Sequence, residues 1–130
     1  ALIGVMYETF QVNADIVIDN APGWLLAGTG LNQGDRLPGL LGYEVDRMFG
    51  NAPANTIRVG HSPYAHKDGT RYADMTVYTT DAGATVFATG SMQWSWGLDN
   101  YNAPQLRQAL LHPAAQQLTR NVLGQMLRSL

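Results

Sequence analysis

The feature that most restricts the fold is a pair of β-rich runs around a short turn. The segments "YADMTVYTT" and "ATVFATG" flank Asp81-Ala82-Gly83. A three-residue connection that contains glycine is typical of an antiparallel hairpin, so the pattern predicts strands over 74–80 and 84–89. In "NTIRVGHS" apolar and polar residues alternate, and we therefore expect a third strand of the same sheet at 57–60.

The C-terminal segment has helical periodicity. Pro113 suits the first turn of a helix, where its missing N–H is not needed. The apolar residues that follow fall on one helical stripe, namely Leu118, Val122, Leu123, Met126, Leu127 and Leu130. This spacing predicts an amphipathic helix over 113–129, packed on one face of the sheet.

The N-terminal third contains shorter signals. The apolar run "ALIGVMY" predicts a buried strand over 1–7, and "ADIVIDN" predicts a second short strand over 14–20. Glycines interrupt 24–42 repeatedly, which indicates a long loop that its leucines keep ordered. No linker divides the chain, so we expect a single domain over 1–130.

Composition excludes several classes of function. A chain of 130 residues with 45% hydrophobic residues can bury one sizeable core, while only 14% charged residues suggests a fragment of something larger. The net charge of -2, with scattered Lys and Arg, argues against nucleic acid or an anionic membrane as partner. No apolar run reaches the ~18 residues of a membrane span. Because the chain has no cysteine, thiol catalysis and disulfides are excluded, whereas the compartment is left open.

The segment "GYEVDR" is the strongest charged cluster. Glu44 and Asp46 share a face if the segment is extended, and Arg47 is placed to neutralise one of them. These three residues are the candidate catalytic groups, and Tyr43 adds a phenol as a candidate ligand contact. A structural Asp–Arg ion pair is the alternative explanation, because such pairs hold many loops without doing chemistry.

Two tryptophans in "SMQWSWGLD" raise a second question. In a strand, Trp94 and Trp96 would share one apolar face; in a turn or short helix they would splay apart. Large aromatic rings more often supply core area than a ligand platform. We hypothesise unequal roles, with one ring sealing the core beneath the terminal helix and the other lining a cleft beside "GYEVDR" and the glycine-rich loop.

Other motifs are less specific. His61 and His66 lie five residues apart in what reads as a loop, and they could bind a metal if carboxylates joined them, although loop histidines without a role are commoner. Neither Ser62 nor Ser91 lies in a nucleophile elbow, so no hydrolytic triad is indicated. The glycine-rich "GTGLNQG" lacks the spacing of a phosphate-binding loop.

A family resemblance spans about residues 2–100. "GTGLNQGDRLPG", "LLGYEVDR" and "VFATGSMQWSWGLD" together resemble the C-terminal part of the N,N-dimethylformamidase large (beta) subunit-like domain. That domain is similar to the class I glutamine amidotransferase-like fold. The resemblance implies an α/β fold: a three-layer flavodoxin-like mixed sheet with an added antiparallel hairpin, of which this chain is the distal portion.

The resemblance also frames the function. In dimethylformamidase it implies amide hydrolysis at an iron held by tyrosines and a glutamate, and Glu44 is the acidic residue on a matching motif that could act as the metal ligand. The remaining ligands would lie upstream, so we expect no metal in this chain and iron in the full-length protein. We favour a non-catalytic structural or ligand-binding module whose partner is the upstream part of the parent protein. A fragment of an iron-dependent amide hydrolase is the alternative, and homo-oligomerisation is left open.

Overall fold

The computed structural model describes residues 1–128. Within this range, one antiparallel sheet contains β1 (Met6–Val17) and β2 (Arg36–Arg47). A second antiparallel sheet has the strand order β3 (Ile57–His66), β4 (Gly69–Thr79) and β5 (Thr85–Ala88). The helical segments are α1 (Gly23–Leu26), a 3-10 helix (Met92–Gly97) and α2 (Pro113–Arg128).

The predicted hairpin is confirmed. β4 pairs with β5 from Thr76 opposite Ala88 to Thr79 opposite Thr85. The turn is closed by a hydrogen bond of 2.8 Å from the Thr80 N–H to the Ala84 carbonyl. The strand predicted at 57–60 lies in β3 of the same sheet, so local alternation and turn chemistry identified this sheet correctly.

The two sheets are joined at two places. An isolated bridge pairs Ile18 with Gly60, and a second bridge pairs Val45 with Ser91. Gly60 allows the first join, because a Cβ there would lie 3.0 Å from the Met75 Cβ and 3.3 Å from the Val17 carbonyl oxygen. The sheets and α2 enclose one hydrophobic core, whose fully buried members include Ile16, Leu25, Leu37, Leu40, Leu41, Val45, Val59 and Leu118.

The terminal helix is confirmed over the described residues, and position 129 lies outside them. α2 begins at Pro113 and buries Ala114, Ala115, Leu118 and Val122. The predicted apolar stripe is too wide, however, because the outer leucines, Leu123 and Leu127, are exposed. Leu130 lies outside the described residues.

The predictions for the N-terminal third were partly wrong. Strand β1 begins only at Met6, and Leu2 and Ile3 are exposed rather than buried. The separate strand predicted over 14–20 belongs largely to this same 12-residue strand. The two runs belong to one strand, and three register shifts interrupt its pairing with β2 without ending it.

The long loop predicted over 24–42 is shorter than expected. Strand β2 already begins at Arg36, so only residues 27–35 are irregular after α1. Gly39 adopts a φ of 71° within the strand, and a Cβ on Gly42 would lie 2.3 Å from the Val12 carbonyl oxygen. These glycines therefore permit an irregular, closely packed strand instead of breaking it.

The three-layer flavodoxin-like arrangement is not seen in residues 1–128. The content is mixed α/β but mostly strands, and the strand ladders within this range are antiparallel. Parallel strands need a crossover connection, usually a helix, whereas the one long helix here follows the last strand. None of the helices in the described range is long and apolar enough to cross a membrane.

Candidate functional site

The tryptophan segment forms a short helix, not a strand. The 3-10 helix at Met92–Gly97 begins after Ser91, whose hydroxyl accepts a hydrogen bond of 3.3 Å from the Gln93 N–H. The same hydroxyl donates to the Leu40 carbonyl at 2.6 Å and accepts from the Gly42 N–H at 2.9 Å. Ser91 is thus a buried cap that ties this helix to β2, and its hydroxyl is fully engaged.

The two tryptophans have different environments. Trp94 is 7% exposed, and its indole N–H donates to the Thr119 hydroxyl of α2 at 3.1 Å, so it packs beneath the terminal helix as predicted. Trp96 is half-buried, with the Arg107 guanidinium 5.8 Å from its ring centroid.

The location predicted for the second ring was wrong. Trp96 lines a cleft of about 460 Å³ formed within residues 95–107, away from the glycine-rich loop and "GYEVDR". A ligand contact by Trp96 stays a prediction.

Glu44 and Asp46 lie together in a small cleft of about 230 Å³, which Ile3 and Met92 also line. Burial, followed by the nearby negative charge of Glu44, raises the pKa of Asp46 above its ordinary value of 3.8. The shared face predicted for the two carboxylates is confirmed. Tyr43 is exposed, with a φ of 52°, and does not line this cleft.

Arg47 does not neutralise either carboxylate, so that part of the interpretation was wrong. Its Nε donates instead to Glu8 Oε2 at 2.6 Å. Glu8 also accepts from Arg71 Nη1 at 2.9 Å, and its side chain is 9% exposed. The reason is alternation: side chains 46 and 47 leave β2 on opposite faces, and the face of Arg47 is turned toward a carboxylate of β1.

The two histidines lie in strand β3, not in a loop, and the structure does not bring them together. They lie five positions apart, an odd number, along a regularly paired strand and so leave it on opposite faces. His66 Nδ1 lies 2.7 Å from Asp68 Oδ1. Ser62, between them, is buried and accepts a hydrogen bond of 2.9 Å from the Val17 N–H. Residues 1–128 contain no group of three or more His, Asp or Glu side chains arranged to hold a metal.

A His–Asp dyad was missed by sequence reasoning. His61 Nδ1 lies 2.7 Å from Oδ1 of Asp74, whose side chain is 7% exposed. Asp74 Oδ2 accepts from the Met48 N–H at 2.9 Å, which fixes the carboxylate. The His61 ring stacks on Tyr72, with centroids 4.2 Å apart and planes 6° apart.

This dyad borders the most spacious cleft among those described, of about 630 Å³. Three arginines, Arg47, Arg58 and Arg71, complete its lining together with Glu8, Met48 and Tyr72. A signal for the dyad existed in the sequence: His66 and Gly69 flank a two-residue turn. Counting back from that turn in antiparallel register places residue 61 opposite residue 74.

The fold and these clefts define a β-rich domain with a terminal helix, a small cleft lined by Glu44 and Asp46, and a wider cleft lined by three arginines. Against known families, the model of the N,N-dimethylformamidase beta subunit-like, C-terminal family matches residues 1–106. The chain therefore belongs to this family, in agreement with the resemblance in its motifs. No curated protein and no solved structure matches it significantly.

Proposed function

We propose that this chain is a non-catalytic module of a larger protein, and that the face carrying Glu44 and Asp46 packs against the remainder of that protein. The observation that carries the proposal is an acidic pair without a counter-ion. Within residues 1–128 neither carboxylate forms an ion pair, because the adjacent Arg47 is bonded to Glu8. Two neighbouring carboxylates at one small cleft repel each other, and a cation from elsewhere would relieve that repulsion.

Exposed apolar side chains surround the acidic pair. Ile3 and Met92 line the same cleft and are exposed, and the exposed Tyr7 lies opposite Asp46 in the β1–β2 register. An exposed apolar patch beside unbalanced charge is typical of an interaction surface. The partner that fits is a surface with apolar side chains and a Lys or Arg. The family description, a C-terminal part of a beta subunit-like protein, supports the rest of that subunit as this partner.

A second candidate function is part of an iron-dependent amide hydrolase. The raised pKa of Asp46 beside Glu44 favours it, because perturbed carboxylates concentrate at catalytic sites. In that case Glu44 would be a metal ligand and Asp46 a proton-transfer group. Two carboxylates are too few for a stable iron site, so the remaining ligands would come from outside the described residues.

The packing proposal is tested by one substitution in two contexts. In the isolated chain Asp46→Asn should raise the melting temperature, since it removes a partly buried charge and its repulsion from Glu44. In the parent protein the same change should lower it, because a paired carboxylate is lost there. Asp81→Asn, in the exposed hairpin turn, is the matched control and should change neither value. A rise in both contexts would contradict packing through this face.

Metal analysis separates the two functions. We expect well below one iron or zinc per isolated chain, and unchanged iron content in the parent protein when Glu44→Gln is introduced. Loss of iron and of amide hydrolysis in that variant, with Asp81→Asn unaffected, would favour the hydrolase instead. The same measurement on Asp46→Asn would show whether one carboxylate or both take part.

A further inference from the structure

We propose that the cleft beside the His61–Asp74 dyad is a binding site for a small organic carboxylate. The cleft shares no residue with the face of Glu44 and Asp46, so this proposal stands independently of the proposed function. Its volume of about 630 Å³ falls in the ~300–1,000 Å³ range typical of small-molecule sites.

The hydrogen-bonding groups of the cleft are unequally used. Arg58 bonds to Asp19 through Nε alone, at 2.9 Å, so both of its terminal nitrogens have no partner within residues 1–128. Arg47 Nη2 likewise has no hydrogen-bond partner within residues 1–128, whereas Nε and Nη1 of the same side chain are bonded. The acceptors are occupied: both oxygens of Glu8 receive arginine bonds, and both oxygens of Asp74 are engaged. The ligand must therefore supply acceptor oxygens.

His61 adds a further group of defined orientation. Its Nδ1 faces the buried Asp74, which leaves Nε2 as the ring nitrogen without a protein partner in the described chain. With Nδ1 held by Asp74, Nε2 can donate a hydrogen bond to an anion when both ring nitrogens carry protons. Asp74 acts here as a positioning residue, because its second oxygen is fixed by the Met48 N–H at 2.9 Å.

An anion would be bound by guanidinium nitrogens without a partner in the described chain, not by an excess of positive charge. Three guanidinium groups line the cleft together with two carboxylates, Glu8 and Asp74. Asp19 pairs with Arg58 at 2.9 Å and Asp68 pairs with Arg71 at 2.5 Å, so these carboxylates offset the charge of two of the three guanidinium groups.

The chemistry of the lining favours a carboxylate among anions. The paired terminal nitrogens of an arginine match the two oxygens of a carboxylate. Tyr72 and Met48 offer an apolar wall for the organic part of the ligand.

Titration of the purified chain with benzoate, followed by heteronuclear NMR, tests the site. We expect saturable shifts in the signals of residues 58–61 and 71–74, with a millimolar dissociation constant. Benzamide, the neutral molecule of the same shape, should bind at least tenfold more weakly. Absence of saturation by benzoate, or equal binding of benzamide, would overturn the proposal.

Substitutions locate the binding. Arg58→Gln should weaken benzoate binding about fivefold or more, because a neutral amide lacks the charged, paired donors of the guanidinium. His61→Gln should also weaken it about fivefold or more, because the amide cannot replace the imidazole that Asp74 orients. Arg36→Gln is the control and should change the affinity less than twofold. Arg36 lies on β2, pairs with Asp15 at 3.8 Å and does not line the cleft. Arg58 is exposed, so that variant should fold even if His61→Gln does not. Unchanged affinity in Arg58→Gln, or tighter binding of inorganic phosphate than of benzoate, would reject the assignment.

Discussion

Two regions of the domain use burial differently. On the helix side, Trp94 and the inner face of α2, with Ala115, Leu118 and Val122, are apolar and fully packed. On the charged side, the side chains of Glu8 and Asp74 are only 9% and 7% exposed, but each is held by arginines, a histidine or a backbone N–H. Apolar burial stabilises a fold without specifying a ligand, whereas buried and half-buried charges keep directional groups available for binding. From this difference we expect α2 to support the domain and the strands to carry the proposed binding.

The largest expected effect separates the two tryptophans. Trp94→Ala should lower the free energy of unfolding by about 3–5 kcal/mol, because it opens a cavity beneath α2 and removes the bond to Thr119. Trp96→Ala should lower it by about 1 kcal/mol or less, since that ring is only half-buried. Urea unfolding of both variants measures the difference. Equal large losses would mean that both rings belong to the core and that the cleft around Trp96 has no separate role.

The second effect concerns the join between the regions. Gly90 has a φ of 66°, and a Cβ there would lie 2.0 Å from the Asp74 carbonyl oxygen. Gly90→Ala should therefore destabilise the chain by about 2–4 kcal/mol through strain and overpacking. Gly30→Ala is matched in backbone conformation, with a φ of 73°, but meets nothing within 4 Å, so about 1 kcal/mol is expected. A similar loss in both variants would mean that the backbone angle alone decides the effect.

The third effect tests whether the ion pairs of the charged side stabilise the fold. Glu8→Gln should destabilise by about 1–3 kcal/mol, because Arg47 and Arg71 would lose their shared carboxylate in a nearly buried site. The two arginines are partly exposed, so the loss stays below that of a fully buried pair. Glu44→Gln is the control, because this exposed carboxylate forms no ion pair within residues 1–128, and the change in the free energy of unfolding should fall within about 0.5 kcal/mol. A Glu8→Gln variant as stable as this control would show that the pairing of Glu8 with Arg47 and Arg71 does not stabilise the fold.

The smallest effect is a pH dependence. The raised pKa of Asp46 means that the folded chain holds this proton more tightly than the unfolded chain. The contribution of Asp46 is therefore most favourable below its ordinary value of 3.8 and is lost as the pH rises through the raised value. Asp46→Asn should match the wild type near pH 3 and melt about 1–3 °C higher near pH 7. If Asp46→Asn raises the melting temperature by the same amount at both pH values, titration of Asp46 is not the cause.

The sequence predicted local structure better than the site. The hairpin and α2 were predicted correctly because each depends on periodicity and on neighbouring turn or capping residues. The shared face of Glu44 and Asp46 followed from alternation alone. The pairing of Arg47 with Glu8 did not, because these residues are 39 positions apart and meet only through β1–β2 pairing. That pairing has three register shifts, with positive φ values at Gln11 and Tyr43, which no simple alternation predicts.

By itself, the sequence determined the family, the β-hairpin, the terminal helix and the neighbourhood of two carboxylates. These properties depend on motif order and on interactions within about a dozen residues. The tertiary structure alone decided that Trp94 lies beneath α2, while Trp96 borders a separate cleft. It also decided that His61 meets Asp74 and that three arginines converge on the same cleft. The physical reason is that strand register and the packing of one sheet on another join distant residues, and each is set by the energy of the whole core.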